Sequence, residues 1–90
     1  MRVRFHRAKS DRLRRMRGIG FEEAQFLFER PHFFDSIPGL PEQWRAVGWV
    51  DGRLWTVVYE EREDALGPHL HLVTLWKSTK QEQEEYGRHS

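Results

Sequence analysis

The 90-residue sequence predicts one α+β domain, in which helices pack on one side of a small antiparallel sheet. The first observation is the order of patterns: a short β-type alternation, two helical segments, three β-rich segments in succession and a last helical segment. The second is Asp51-Gly52 between two β-rich runs, which indicates a tight hairpin. Consecutive strands joined by hairpins are antiparallel neighbours, so the pattern favours an antiparallel sheet.

The N-terminal segment predicts a strand followed by a basic helix. Residues 2–6 alternate polar and apolar side chains, with Val3 and Phe5 directed inward. Residues 7–17 carry a sparse apolar stripe at helical spacing, and Gly18 suits the left-handed position that ends a helix. This helix therefore has few apolar side chains to pack against the core.

A second helix is predicted over residues 21–30. Its apolar residues recur at helical spacing and are Phe21, Ala24, Leu27 and Phe28. Two acidic residues in its first turn complement the helix dipole, and Pro31 ends it. Residues 31–42 contain three prolines and predict a loop with one short strand.

The middle of the chain predicts a β-hairpin. Residues 43–49 and 53–59 are rich in β-forming side chains, and we expect positive φ at both Asp51 and Gly52. Residues 60–68 are mostly charged and are predicted to connect the hairpin to the next strand.

The last strand and helix hold the densest set of reactive side chains. Strand alternation over residues 69–77 predicts that His69, His71 and Lys77 lie on one face, opposite Trp76. A helix is predicted over residues 79–87. Its start fits a capping box in two registers, with Ser78 and Gln81 or with Thr79 and Glu82.

Composition restricts the classes of function. There is no cysteine, no long apolar run and no apolar signal segment, so we expect a soluble, cytoplasmic protein without thiol chemistry. Residues 1–17 carry eight Arg or Lys against Asp11 alone, whereas residues 18–90 carry seven against 13 acidic residues. This block predicts an electropositive surface for phosphates or an acidic partner, with a solvated helix face as the alternative. The predicted partner-binding residues are Arg12, Arg14 and Arg15.

Several short motifs, taken in order, resemble the BrnT-type toxins, which are small RelE-like ribonucleases of bacterial type II toxin-antitoxin pairs. The motifs are Phe21-Glu22-Glu23-Ala24 after a basic helix ending in Gly18, Trp44-Arg45-Ala46-Val47-Gly48, Asp51-Gly52-Arg53-Leu54 with Val57-Val58, Glu61-Arg62, and Thr79-Lys80 with Glu82 through Tyr86. The resemblance covers almost the whole chain. It implies a RelE-like sheet with two N-terminal helices and one C-terminal helix, RNA as substrate, no cofactor, and a DNA-binding antitoxin as partner.

The chain also departs from that family. Arg17 takes the place of a histidine in the turn after the first helix, and Trp76 stands where the last strand of the family has an arginine. Positions that are often arginine in the same strand are His69 and His71 here. These departures bear on catalysis more than on fold.

RNA cleavage without a metal needs a base, an acid and a cation beside the phosphate. The predicted catalytic residues are His71 for proton transfer, Arg62 as phosphate clamp and Lys77 as electrostatic support. The predicted RNA-binding residues are Arg17, Arg45, His69 and Lys80. Two alternatives stay open: both histidines are structural, or the domain is a weakened relative that binds its antitoxin and acts in DNA autoregulation.

A metal site is a further alternative from the His-x-His spacing. His69 and His71 on one strand face offer two imidazoles to zinc, with a third ligand from Glu60, Glu61 or His6. No spacing motif requires such a ligand set, so the sequence favours a site without metal.

Overall fold

The structure, a computed structural model, describes residues 2–89 and is an α+β domain with one mixed five-stranded sheet. The predicted α+β class is confirmed. The strands are β1 (Arg2–Arg4), β2 (Phe33–Ile37), β3 (Leu40–Val50), β4 (Arg53–Asp64) and β5 (Gly67–Lys77). The helices are α1 (Arg7–Arg17), α2 (Phe21–Ala24), which a short 3-10 helix (Gln25–Glu29) extends, and α3 (Lys80–His89).

The sheet has the order β1-β5-β4-β3-β2. Strands β2 to β5 are antiparallel neighbours, but β1 runs parallel to β5, with Arg2 opposite His69 and Arg4 opposite His71. The prediction of a purely antiparallel sheet is therefore wrong at this edge. The first and last strands of the sequence meet there, and no local pattern specifies their relative direction.

The two faces of the sheet differ in what covers them. We call the face under α1 and α2 the α1 face, and the opposite face the α3 face. The hydrophobic core lies on the α1 face and includes Leu13, Phe21, Ala24, Leu27, Ala46, Val50, Trp55, Val57, Tyr59, Leu70, Leu72 and Leu75. Helix α3 packs on the other face across β2 and β3, so the prediction that all helices lie on one side is wrong.

The two tight turns on either side of β4 each have a local cause. At the first turn φ is 49° at Asp51 and 79° at Gly52, which confirms the predicted hairpin. At the second turn β4 runs to Asp64 and β5 begins at Gly67, so the predicted charged connection over 60–68 is wrong. The Asp64 carboxylate accepts the N–H of Leu66 at 2.9 Å and stabilises this turn.

A β-bulge in β5 reverses its side-chain alternation. Val58 of β4 pairs with Thr74, whereas Tyr59 pairs with Leu72, so Val73 is an extra residue between the two pairs. Before the bulge the odd-numbered side chains, including His71, lie on the α3 face. After it Lys77 lies on the α1 face, opposite Trp55. The prediction that His71 and Lys77 share a face is therefore wrong.

The ends of the helices follow local rules. Helix α1 ends at Gly18 with φ of 101°, as predicted. At α3 the capping box uses Thr79 and Glu82. The Thr79 hydroxyl accepts the N–H of Glu82 at 3.2 Å, and the Glu82 carboxylate accepts the N–H of Thr79 at 2.8 Å. The alternative box with Ser78 is not formed, because the Ser78 hydroxyl bonds Thr56 instead. No helix within residues 2–89 has the length and apolar character to cross a membrane.

Candidate active site

An open depression with a volume of about 520 Å³ lies where β1, β4 and β5 leave the α3 face uncovered. We call it the basin. Its lining residues are Arg4, Phe5, His6, Arg7, Arg62, Glu63, Asp64, His69 and His71. The parallel pairing of β1 with β5 and the antiparallel pairing of β4 with β5 bring these charged side chains together from distant parts of the chain.

His71 is half-buried in the basin and lies opposite Glu60 on the neighbouring strand. The ring of His6 stands edge-on to it, with 6.4 Å between the ring centroids. Burial lowers the pKa of the His71 imidazole, and the positive charge of Arg62 lowers it further. His71 is therefore neutral near pH 7, the state in which an imidazole accepts a proton.

His69 is the more deeply buried of the two histidines, with 7% of its surface exposed. Its Nδ1 atom makes no hydrogen bond to any group in the described part of the chain. The nearest carboxylate oxygen, Oδ2 of Asp64, is 3.7 Å away. Buried polar atoms are nearly always hydrogen-bonded in folded proteins, so this Nδ1 is an unsatisfied hydrogen-bonding group in the wall of the basin.

Asp64 holds the arginines of β1 in place. Its carboxylate accepts hydrogen bonds from Arg2 at 2.6 Å and from Arg4 at 2.9 Å. The Arg2 guanidinium, the Leu66 N–H and the Arg4 guanidinium together hold the pKa of this carboxyl well below its usual range. Asp64 is therefore ionised at neutral pH and fixes two guanidinium groups beside the histidines.

Arg62 lies directly opposite His69, as the predicted antiparallel return requires. It is exposed and donates two hydrogen bonds to Glu60, at 2.9 and 2.6 Å. The amide of Gln43 holds the other Glu60 oxygen at 3.1 Å, and these contacts lower the pKa of Glu60. An exposed ion pair of this kind is weak, so a phosphate can compete for Arg62.

Lys77 is not part of the basin. It lies six residues beyond His71, which is about 20 Å along a strand at about 3.3 Å per residue, and on the opposite face. Lys80 at the start of α3 and Arg17 at the end of α1 are exposed and also lie outside the basin lining. The structure thus joins His71, His69 and Arg62 but separates these three cations from them.

Arg45 lies on the covered part of the α3 face, where three carboxylates surround it. Its partners are Asp35 at 2.5 Å, Glu85 at 3.3 Å and Glu82 at 3.4 Å. The hydrogen bonds that Arg45 donates to Asp35 raise the pKa of its guanidinium. This guanidinium anchors α3 to the sheet, and carboxylates hold four of its five N–H donors.

Trp76 belongs to the same anchoring network. Its indole N–H donates to Glu82 at 3.0 Å, and the Thr56 hydroxyl donates to the same oxygen at 2.9 Å. The Glu82 carboxylate is 4% exposed. Trp76 therefore contributes to the attachment of α3.

The three arginines predicted to bind a partner differ in availability. Arg14 pairs with Asp11 at 3.2 Å, with Glu23 at 3.1 Å and more closely with Glu22. Arg12 and Arg15 are exposed and form no ion pair within residues 2–89. They leave an unpaired positive surface on the outside of α1.

Sequence reasoning missed Arg4 and Asp64 in the basin lining, Arg2 beside it on Asp64, and His6 except as a possible metal ligand. The alternation of residues 2–6 already places Arg2, Arg4 and His6 on one face. Their position beside His69 and His71 depends on the parallel pairing of β1 with β5, which sequence patterns do not reveal. Asp64 was assigned to a loop.

No group of three or more His, Asp or Glu side chains within residues 2–89 is arranged to hold a metal ion. Comparison with protein-family models and with curated proteins finds no match to this chain.

Proposed function

We propose that this protein is a metal-independent endoribonuclease with a RelE-like arrangement, acting as the toxin of a type II toxin-antitoxin pair. One observation carries the proposal: His69 and His71 lie beside Arg62 in an open basin, and the buried Nδ1 of His69 has no partner in the described residues. Imidazoles for proton transfer and guanidinium groups for charge are the inventory that RNA cleavage needs.

The proposed reaction is attack of an RNA 2′-hydroxyl on the adjacent phosphorus. Neutral His71 takes the hydroxyl proton as the new O–P bond forms. The bond to the 5′ oxygen then breaks, and a protonated imidazole donates a proton to that oxygen. His69 suits this second role, because it lies two residues away on the same face, about 7 Å along the strand.

The developing negative charge on the phosphate requires fixed positive groups. Arg62 supplies one from β4, and Arg4, oriented by Asp64, supplies another from β1. This scheme uses neither Lys77, which is too distant, nor Arg45, whose guanidinium is occupied by carboxylates.

The outer surface of α1 is the proposed antitoxin site. Arg12, Arg15 and Met16 are exposed there, and Met16 is 66% exposed. A partner segment with acidic side chains for the two arginines and an apolar side chain for Met16 complements such a surface. Because α1 begins at Arg7 on the rim of the basin, a chain bound along α1 is placed to block the site.

A second candidate is an antitoxin-bound module that has lost most of its catalytic power. The observation that favours it is the pairing of cations with carboxylates: Arg45 with three and Arg62 with Glu60. In this alternative the domain binds its antitoxin and contributes to DNA autoregulation without cleaving RNA.

Expression in bacteria separates the two candidates. The wild-type chain expressed alone should stop growth and accelerate RNA decay, and co-expression of the adjacent small gene product should restore growth. His71→Ala should abolish toxicity, whereas His89→Ala, which removes an exposed histidine outside the basin, should remain toxic. Normal growth and stable RNA with a folded wild-type chain would favour the binding module.

A further inference from the structure

The far end of the α3 face carries a tryptophan that the fold does not bury. Trp49 is 46% exposed near the end of β3 and lies outside the hydrophobic core. The ring of Tyr86 in α3 packs against Trp49 edge-on, with 6.4 Å between the ring centroids. A large flat apolar surface therefore faces solvent, which is unusual for tryptophan.

Two cations on the α1 face line, at this end of the sheet, the same depression as this indole ring on the α3 face. Arg53 and Lys77 line the same depression as Trp49, with a volume of about 340 Å³, which we call the hairpin pocket. Its remaining walls include Leu54, Ser78 and Gln83. Both cations are exposed and neither forms an ion pair within residues 2–89.

The charge of the hairpin pocket differs from that of the basin. The basin lining contains Glu63 and Asp64, but no carboxylate lines the hairpin pocket in the described chain. Arg62 in the basin has a carboxylate partner, whereas Arg53 and Lys77 have none there. The hairpin pocket thus holds positive charge that no carboxylate within residues 2–89 neutralises.

We propose that the hairpin pocket binds one nucleotide of a single-stranded RNA, with the base stacked on Trp49 and the phosphate between Arg53 and Lys77. Aromatic side chains beside positive charge are the elements by which proteins hold single strands without reading sequence. Arginine adds planar hydrogen bonding to phosphate, and lysine adds a mobile point charge.

The hairpin pocket extends the substrate beyond the basin. Lys77 is about 20 Å from His71 along β5, by the rise per residue of a β-strand. An RNA that occupies both the basin and the hairpin pocket therefore spans several nucleotides. The inference rests on the proposed function for the identity of the polymer. It predicts that longer single strands bind more tightly than a dinucleotide, which reaches only one of the two sites.

Binding without cleavage tests this site. The probe is a labelled single-stranded 2′-O-methyl RNA of about 12 nucleotides, a length in the range of known single-strand sites. It lacks the attacking hydroxyl, so its affinity for the full chain is measured by fluorescence anisotropy over a range of salt. Arg53→Gln with Lys77→Gln should weaken binding about tenfold and reduce the salt slope by about 0.7 per charge.

Matched variants keep the result specific. Arg88→Gln removes an exposed charge outside the pocket lining and should leave the affinity within about twofold. Trp49→Leu should weaken binding about tenfold or more, as expected for a lost stacking platform, whereas Trp49→Phe should retain most of it. Equal loss in the Leu and Phe variants would contradict stacking of a base on Trp49.

The inference is overturned by an unchanged affinity and salt slope in the double variant, or by no binding of the probe to the wild-type chain. Cleavage of RNA with normal affinity in the hairpin variants removes the hairpin pocket and leaves the proposed function intact. If the protein binds the probe through Trp49 but cleaves no RNA, the hairpin pocket is supported and the ribonuclease proposal fails.

Discussion

The covered and uncovered parts of the α3 face carry similar side chains in different states. Under α3, the Arg45 guanidinium touches three carboxylates, and the buried Glu82 accepts hydrogen bonds from Thr56 and Trp76. In the basin, His69 is equally buried, yet its Nδ1 has no partner among the described residues. Both parts belong to the same face of one sheet.

This difference separates structural charge from functional charge. Where a helix covers the sheet, every ionised group needs a partner, because an unpaired buried charge is costly. Where no helix covers it, the Nδ1 of His69 is left without a partner among the described residues. By residue type alone, Arg45 and Arg62 are equally suited to bind a phosphate. Their carboxylate partners in the structure distinguish a structural arginine from one that a ligand can reach.

The largest effect is expected in the basin. His71→Ala should reduce RNA cleavage at least about a hundredfold, since positioned proton transfer contributes about 10²–10⁴ in rate. Single-turnover cleavage and thermal melting should be measured together, because the fold should not change. His89→Ala is the control, and activity within about threefold of wild type in a folded His71→Ala variant would remove this histidine from the mechanism.

The matching effect under α3 is on stability. Glu82→Ala should lower the free energy of unfolding by about 3 kcal/mol or more, because it leaves Arg45 half-buried with fewer partners and orphans the Thr56 and Trp76 donors. Urea denaturation measures this change. Glu84→Ala, an exposed change on the same helix, should stay within about 0.5 kcal/mol.

A crossed pair of arginine variants sharpens the comparison. Arg62→Gln should lower kcat/KM about tenfold while changing stability by no more than about 1 kcal/mol, since its ion pair with Glu60 is exposed. Arg45→Gln should do the reverse, costing about 1–3 kcal/mol of stability with normal cleavage by the folded protein. The same outcome for both variants would erase the distinction between the two parts of the face.

The smallest effect concerns pH. As a base, His71 must be neutral, so cleavage is lost as pH falls through the pKa of His71. Burial and Arg62 lower this pKa, which places the acid limb of the kcat/KM profile below about 6.5. The charged and titratable groups facing His71 are Arg62, Glu60, His6 and His69.

Glu60→Gln removes the one negative charge among these groups and should move the acid limb to lower pH. A limb above about 6.5, or one that does not move in this variant, would assign the titration to another group.

The sequence predicts the features that depend on near neighbours. Helix α1, the Asp51-Gly52 turn and the Thr79–Glu82 capping box each rest on a few adjacent residues and are confirmed. The parallel pairing of β1 with β5 and the position of α3 depend on the packing of distant segments. No periodicity encodes them.

The Val73 bulge had the greatest consequence for the site. An uninterrupted alternation places His71 and Lys77 on one face, and one extra residue reverses that result. Strand length alone excluded the pairing, because six residues of strand separate two side chains by about 20 Å. The pairing of Arg62 with His69 was predictable, since it needs only an antiparallel return.

The chemistry of the cleaved ends tests the central claim most directly. Wild-type protein should be incubated with single-stranded RNA in the presence of a metal chelator, and the products identified by mass spectrometry. Attack by the 2′-hydroxyl predicts a 2′,3′-cyclic phosphate on one fragment and a 5′-hydroxyl on the other. Intact RNA, cleavage that stops with the chelator, or fragments ending in a 3′-hydroxyl would contradict a histidine-based ribonuclease in the basin.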